Sequence, residues 1–209
     1  MTRRPIPVLA GLAAMAVLAV ACTATPAASP PSSASTGGNG TCPTAQPAPL
    51  AAGETRTVTI TTELGSMTIG IEADLSPIAA GNFVALADCG FYDGVVFHRV
   101  VPDFVIQGGD PSGTGSGGPG YTIQDEPVNT LYSRGTVAMA RTPAPNSVGS
   151  QFFIVLDDSA RASLESANTY QIIGTVTEGM ETADRIAGAA DAQLPSDPVV
   201  MTDVSVSNP

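Results

Sequence analysis

Phe97-His98-Arg99-Val100-Val101-Pro102-Asp103-Phe104-Val105-Ile106-Gln107-Gly108-Gly109-Asp110 holds two short apolar runs, parted by Pro102 and Asp103 and stopped by two glycines. Runs of this length, rich in valine, isoleucine and phenylalanine and bounded by turn formers, make β-strands. Strands are predicted over 95–101 and 104–107. Upstream, Val58 and Ile60 alternate with polar residues, Glu63-Leu64-Gly65-Ser66 turns the chain, and Met67, Ile69 and Ile71 alternate again. That pattern is a β-hairpin. Between the two stretches, Ser76-Pro77 offers an N-cap and a preset first turn, Ala79, Phe83 and Leu86 recur at helical spacing, and Gly90 supplies the stop. Downstream, β-type runs occupy 136–140, 152–156, 170–176 and 199–206, and a second helix fits 180–189 with Met180, Ala183, Ile186 and Ala187 inward. Many short strands with two helices exclude a repeating βαβ plan, in which each parallel pair needs a crossover. The expectation is a mainly β fold, a closed antiparallel barrel capped by two α-helices.

Residues 1–53 differ from everything after them. Arg3 and Arg4 precede an apolar run over 6–21, and small residues lead to Cys22. This is the layout of an export signal over 1–21. A retained transmembrane helix is the alternative, although the run falls short of the roughly 20 residues a span needs. Residues 22–53 then form a stretch rich in threonine, alanine, proline, serine and glycine, the composition of a disordered tether. The folded body is assigned to 54–209. It carries all 19 acidic residues against six arginines and no lysine, a surplus of 13 negative charges. Nucleic acid is excluded as a partner, because neutralising phosphates takes clustered basic side chains. A hydrophobic share of 43% against 13% charged residues is enough to build a core. Cys42 and Cys89 either pair or remain free thiols. Paired, they would close a loop of more than forty residues, worth about 3 to 4 kcal/mol in the loop-entropy account.

Several chemistries are excluded by what is missing. One histidine and three scattered cysteines do not make a tetrahedral zinc site, so no metal is expected. No serine stands in a Gly-x-Ser-x-Gly elbow to use His98 as a base. Gly113-Thr114-Gly115-Ser116-Gly117-Gly118 satisfies the bare dinucleotide pattern, but Pro119, Gly120 and Tyr121 lead into extended chain where a helix should open. A glycine-rich turn beside a binding groove fits better, and no cofactor is expected.

Three blocks remain: 97–110 itself, Met139-Ala140-Arg141 leading through Asn146 to Ser150-Gln151-Phe152-Phe153-Ile154, and Tyr170-Gln171-Ile172-Ile173-Gly174 leading to Gly179-Met180. In order and spacing they resemble the cyclophilin-type peptidyl-prolyl cis/trans isomerases over about 57–207. The resemblance implies an eight-stranded barrel closed by two helices, with a proline pocket on its outer face. It implies Arg99 as the residue aimed at the prolyl nitrogen, Gln107 bonding the neighbouring peptide groups, and pocket walls of Phe104, Val105, Phe153 and Leu164. Tyr170 stands where many relatives have histidine. Ala140 and Arg141 would line the adjoining groove by their backbone, with Gly113 across from them. His98 and Gln151 complete the set, His98 at the groove edge or supporting the loop. Taken singly, Phe104 and Phe153 would be core residues and Arg99 half of a surface ion pair; their place in the three blocks overrides that.

The chain departs from the family at the pocket edge. Many relatives carry a tryptophan beside the position of Leu164, whereas this chain has no tryptophan and places Ser163 or a neighbour there. Reduced sensitivity to cyclosporin is the consequence expected. Leu18-Ala19-Val20-Ala21-Cys22 resembles a bacterial lipobox, with Ala19 where leucine is usual. That implies a lipid-anchored isomerase on the outer face of the cytoplasmic membrane, acting on proline-containing segments of exported proteins; with no exposed heptad or long apolar helix to argue for a dimer, a monomer is the default expectation. Free secretion is the alternative location. A holdase on the same fold, binding such segments without turnover, is the alternative function.

Overall fold

The computed structural model describes residues 40–208 and Thr2; apart from Thr2, the export signal, Cys22 and the tether up to residue 39 lie outside the described residues. Strands β1 (Thr55–Thr62) and β2 (Gly65–Glu72) pair antiparallel from Thr55↔Glu72 to Thr62↔Gly65, as the alternation predicts. Their inward residues Val58, Ile60, Met67, Ile69 and Ile71 are completely buried. Helix α1 (Pro77–Asp88) follows Ser76 with proline in its first turn. Ser76 sits at the cap position, but its hydroxyl has no partner among the described residues. The cap comes from elsewhere: the Glu126 carboxylate accepts the N–H groups of Ile78 and Ala79, both at 2.9 Å, placing a negative charge at the positive end of the helix.

Six more strands complete one sheet: β3 (Arg99–Val101), β4 (Val105–Gly108), β5 (Thr136–Met139), β6 (Phe152–Val155), β7 (Ile172–Glu178) and β8 (Met201–Ser207), in the order β3-β4-β6-β5-β7-β2-β1-β8. Every pairing is antiparallel. The sheet curls into an open half-barrel, which corrects the closed barrel expected from the sequence. Its end strands β3 and β8 share no ladder; residues 94–97 cross the gap, with a single bridge at Val96↔Val200 and bonds from Gly94 to Met201 and from Phe97 to Val199. Pro195 and Pro198 precede β8 in that gap, and neither has an N–H to extend a ladder. The helix number is corrected too. Besides α1 and the expected α3 (Met180–Ala189) there is α2 (Arg161–Ala167), whose seven residues bury only Leu164.

The concave face holds the main core, where Phe83, Tyr92 and Phe97 surround Phe152 with ring centroids 5.1 to 6.2 Å apart. A smaller apolar cluster, built on Val105, Ala138, Phe153, Val155 and Ile172, covers the outer face of β4 to β7 and receives Tyr132 and Leu164. Cys42 and Cys89 are joined in a disulfide with Cα atoms 5.2 Å apart. The bond fastens residues 42–50 along α1. Leu50 N–H donates to Pro77, and a Cβ on Gly81 would stand 2.5 Å from the Ala48 carbonyl oxygen.

Candidate active site

Strand register assembles the site. Arg99 lies opposite Gln107 across β3 and β4, Gln107 opposite Phe153 across β4 and β6, and Phe153 opposite Ala138 across β6 and β5. Side chains alternate across a strand, so while Val100, Ile106 and Ile154 fill the main core, Arg99, Gln107 and Phe153 form a row on the outer face. Asp103, with φ 59°, turns the chain between β3 and β4 and presents Phe104 beside the row.

A cleft of about 270 Å³ opens there, lined by Arg99, Phe104, Val105, Gln107, Ala140, Arg141, Phe153, Leu164 and Tyr170. It has an apolar floor and one polar edge. Phe153 and Tyr170 meet edge to face with centroids 5.3 Å apart. Tyr132 holds Tyr170 from behind: its hydroxyl donates to the Tyr170 carbonyl at 2.9 Å and accepts the Tyr170 N–H at 3.2 Å. Burial pushes the Tyr132 phenol up to about 12, so it stays protonated in that double contact.

At the polar edge, Arg99 Nη1 donates to Gln107 Oε1 at 3.3 Å and Gln107 Nε2 donates to Gln151 Oε1 at 3.0 Å. Gln151 Nε2 in turn donates to the carbonyls of Gly115 and Gly117, at 3.0 and 2.9 Å. This chain of amides ends on the glycine-rich loop, and Asp110 holds the loop in shape. The completely buried Asp110 carboxylate accepts the N–H groups of Ser112, Thr114, Gly115 and Gly117 and both nearby hydroxyls. Burial alone would raise the Asp110 carboxyl, but the Gly117, Ser112 and Gly115 donors outweigh it and hold it well below the usual carboxylate range. Gly117 must be glycine, since a Cβ would stand 2.0 Å from Asp110 Oδ1.

A second, larger cleft of about 660 Å³ adjoins the first and shares Gln107, Ala140 and Arg141 with it. Arg141 contributes wall and backbone while its charge is spent elsewhere: its guanidinium pairs with Asp125 at 2.9 Å and donates to the carbonyls of Thr142 and Ala144. Arg99, by contrast, takes part in no ion pair among the described residues.

Two of the residues picked from the sequence stand apart from both clefts. Gly115 to Gly118 line the larger one, not Gly113, because the loop folds over Asp110 and turns Gly113 toward Val96. His98, 5% exposed, lies behind the loop, where a Cβ on Gly115 would sit 3.7 Å from its ring. Burial lowers its pKa, Asp110 pulls it back up and Arg99 adds to the lowering. Among residues the sequence did not pick out are Asp110, although it closes the quoted stretch, and Tyr132, which has no local signal.

The fold and site define a class. The sequence pattern described as cyclophilin type peptidyl-prolyl cis-trans isomerase/CLD matches residues 57–206. A cyclophilin-type isomerase of Cryptosporidium parvum superposes with a TM-score of 0.66 at 33% identity, covering 74% of this chain and 99% of that one; a second crystal structure of that protein was obtained in the presence of the dipeptide Ala-Pro. The peptidyl-prolyl cis-trans isomerase CYP18-2 of Arabidopsis thaliana is 41% identical over 62% of this chain and 79% of its own length. A putative bifunctional phosphatase/peptidyl-prolyl cis-trans isomerase of Streptococcus pyogenes is 50% identical over 47% of this chain, which spans only 22% of that relative. The chain belongs to the cyclophilin-type peptidyl-prolyl cis-trans isomerase family, and peptidyl-prolyl isomerisation is its enzyme class.

Proposed function

We propose that this protein accelerates rotation about X-Pro bonds in exported polypeptides, with Arg99 stabilising the twisted prolyl amide above an apolar proline pocket. A planar amide resists rotation by about 18 to 20 kcal/mol because the nitrogen lone pair is delocalised into the carbonyl. Twisting localises that pair. The nitrogen becomes pyramidal and basic, and a fixed cationic donor then binds the twisted state more strongly than either planar one. No covalent bond breaks, so no general base is required. The observation that carries the reading is an arginine with no carboxylate partner among the described residues, tethered to the neutral amide of Gln107 beside Phe104, Phe153, Leu164 and Tyr170. Its charge is free for the substrate. Burying a prolyl ring against those walls yields about 1.5 to 3 kcal/mol, which suits fast exchange.

The proposed setting is the outer face of the cytoplasmic membrane, where the protein is a monomer anchored through lipid on Cys22. The leader and tether support this, and the Cys42–Cys89 disulfide favours an oxidising compartment. The test is the cis-to-trans rate of an X-Pro reporter peptide with the full chain in mild detergent. Arg99→Ala should lose about 100-fold or more of the acceleration. Peptide binding that persists without any acceleration by the unmodified chain would leave a binding module instead.

A further inference from the structure

Arg99 stands on an edge strand, yet the far side of that edge is occupied. The loop between α3 and β8 runs beside β3, and the N–H of Val100 donates to the Gln193 carbonyl at 2.9 Å, as it would to a neighbouring strand. With its amide oxygen turned to the guanidinium, Gln193 Oε1 accepts from Arg99 Nε at 3.0 Å and from Nη2 at 3.2 Å. The turn that carries Gln193 is closed on itself: the Asp191 carboxylate accepts the Ser196 N–H at 3.0 Å and its hydroxyl at 2.6 Å. Gln107 holds Nη1 from the other side at 3.3 Å. A guanidinium has five N–H donors. These contacts leave one on each terminal nitrogen to face a ligand, with the group's rotation fixed at both ends.

We propose that Gln193 is a positioning residue for Arg99. It and Gln107 are neutral acceptors, so they set the orientation of the guanidinium and leave its charge intact. A carboxylate in the same place would orient it equally well and partly neutralise it. Because the twisted amide demands tighter alignment than the planar one, loss of Gln193 slows turnover and leaves peptide binding in place. The inference rests on the reading of Arg99 as the catalytic donor.

The experiment uses the full chain in mild detergent, labelled with 15N-arginine, and compares Gln193→Met, which keeps length and removes the acceptor. Gln193 is exposed, so this variant has no core to disturb. Three quantities are read: kcat for an Ala-Pro reporter peptide, the dissociation constant of that peptide, and the Nε–Hε resonance of Arg99, assigned by its disappearance in Arg99→Ala. The expected result is a kcat about tenfold lower, affinity within about twofold, and a resonance shifted toward that of a free arginine side chain. An unchanged resonance, an unchanged kcat, or parallel losses of kcat, affinity and thermal midpoint would each overturn the positioning role. Arg99→Ala separates the two possible failures. If it keeps full activity, catalysis by Arg99 is refuted and this inference with it; if it is inactive beside a fully active Gln193→Met, only the positioning role is refuted.

Discussion

Asp110→Asn tests whether the glycine-rich loop is built on one carboxylate. Asp110 Oδ1 accepts the Ser112 N–H and hydroxyl, both at 2.7 Å, and Oδ2 accepts the N–H groups of Thr114, Gly115 and Gly117 at 3.1, 2.6 and 3.0 Å. An asparagine has one accepting oxygen. Whichever way its amide turns, an NH2 group faces a backbone N–H, and the Ser112 donors are the least that can be lost. An unsatisfied buried donor costs about 1 to 3 kcal/mol, so the change costs about 3 kcal/mol in all. At about 2 to 4 °C per kcal/mol for a domain of this size, the thermal midpoint at pH 7 falls by about 6 to 12 °C. Acid supplies a second signature. The carboxyl is held well below its ordinary value of 3.8, so its contribution is complete above that value and is lost as pH falls through the lower folded value. The difference between wild type and variant should stay constant from about pH 7 to 5 and narrow below about pH 4. The assay is denaturant unfolding at stepped pH. A difference under about 1 kcal/mol at pH 7, or one that persists undiminished into strong acid, would refute the carboxylate as the loop's keystone.

Two other predictions concern stability. His98 has no hydrogen-bond partner at either ring nitrogen among the described residues, and burial lowers its pKa, so below its ordinary value of 6.5 unfolding takes up protons. Wild-type stability should therefore decline as pH falls from about 7 to 5, and His98→Phe should flatten that decline; equal slopes in unfolding titrations would exclude His98 as its source. The Cys42–Cys89 bond spans 47 positions, and Cys42→Ser with Cys89→Ser should cost about 4 kcal/mol. Thermal melts with and without reductant check this: the double variant should match the reduced wild type, and a midpoint unaffected by reductant would refute it.

The sequence shows what is local. The β1–β2 hairpin, the spans of α1 and α3 and the pairing of Arg99 with Gln107 are all set by periodicity and turns within a few residues. Helix α2 escaped because one buried leucine in seven residues makes no period. The cap of α1 escaped because Glu126 is 48 positions from Ile78, and Ser76 offered a nearer candidate. Gln193 sits 94 positions after Arg99 in a loop without regular structure, so nothing local relates the two. The three-block resemblance supplied the pocket walls, which periodicity alone would assign to core. The many short strands with two helices, and the resemblance, also implied a closed barrel; the structure leaves the sheet open and covers its edges with residues 94–97 and the loop carrying Gln193.

That solution bears on catalysis. A closed ladder would have placed β8 against β3, where the loop carrying Gln193 now runs. In the open sheet the loop gives its backbone to Val100 and its side chain to Arg99. The pleat then does the rest. Val100 and Ile106 bury inward and thereby force Arg99 and Gln107 outward, so a register slip of one residue would exchange a core valine for a charged group, and the main core enforces the geometry of the site. On the outer face, Phe153 and Leu164 of the apolar cluster line the same cleft as the guanidinium. An electrostatic interaction is stronger where less water screens it, so in the proposed mechanism the walls that would grip the prolyl ring would also strengthen the field of Arg99 on the twisting nitrogen.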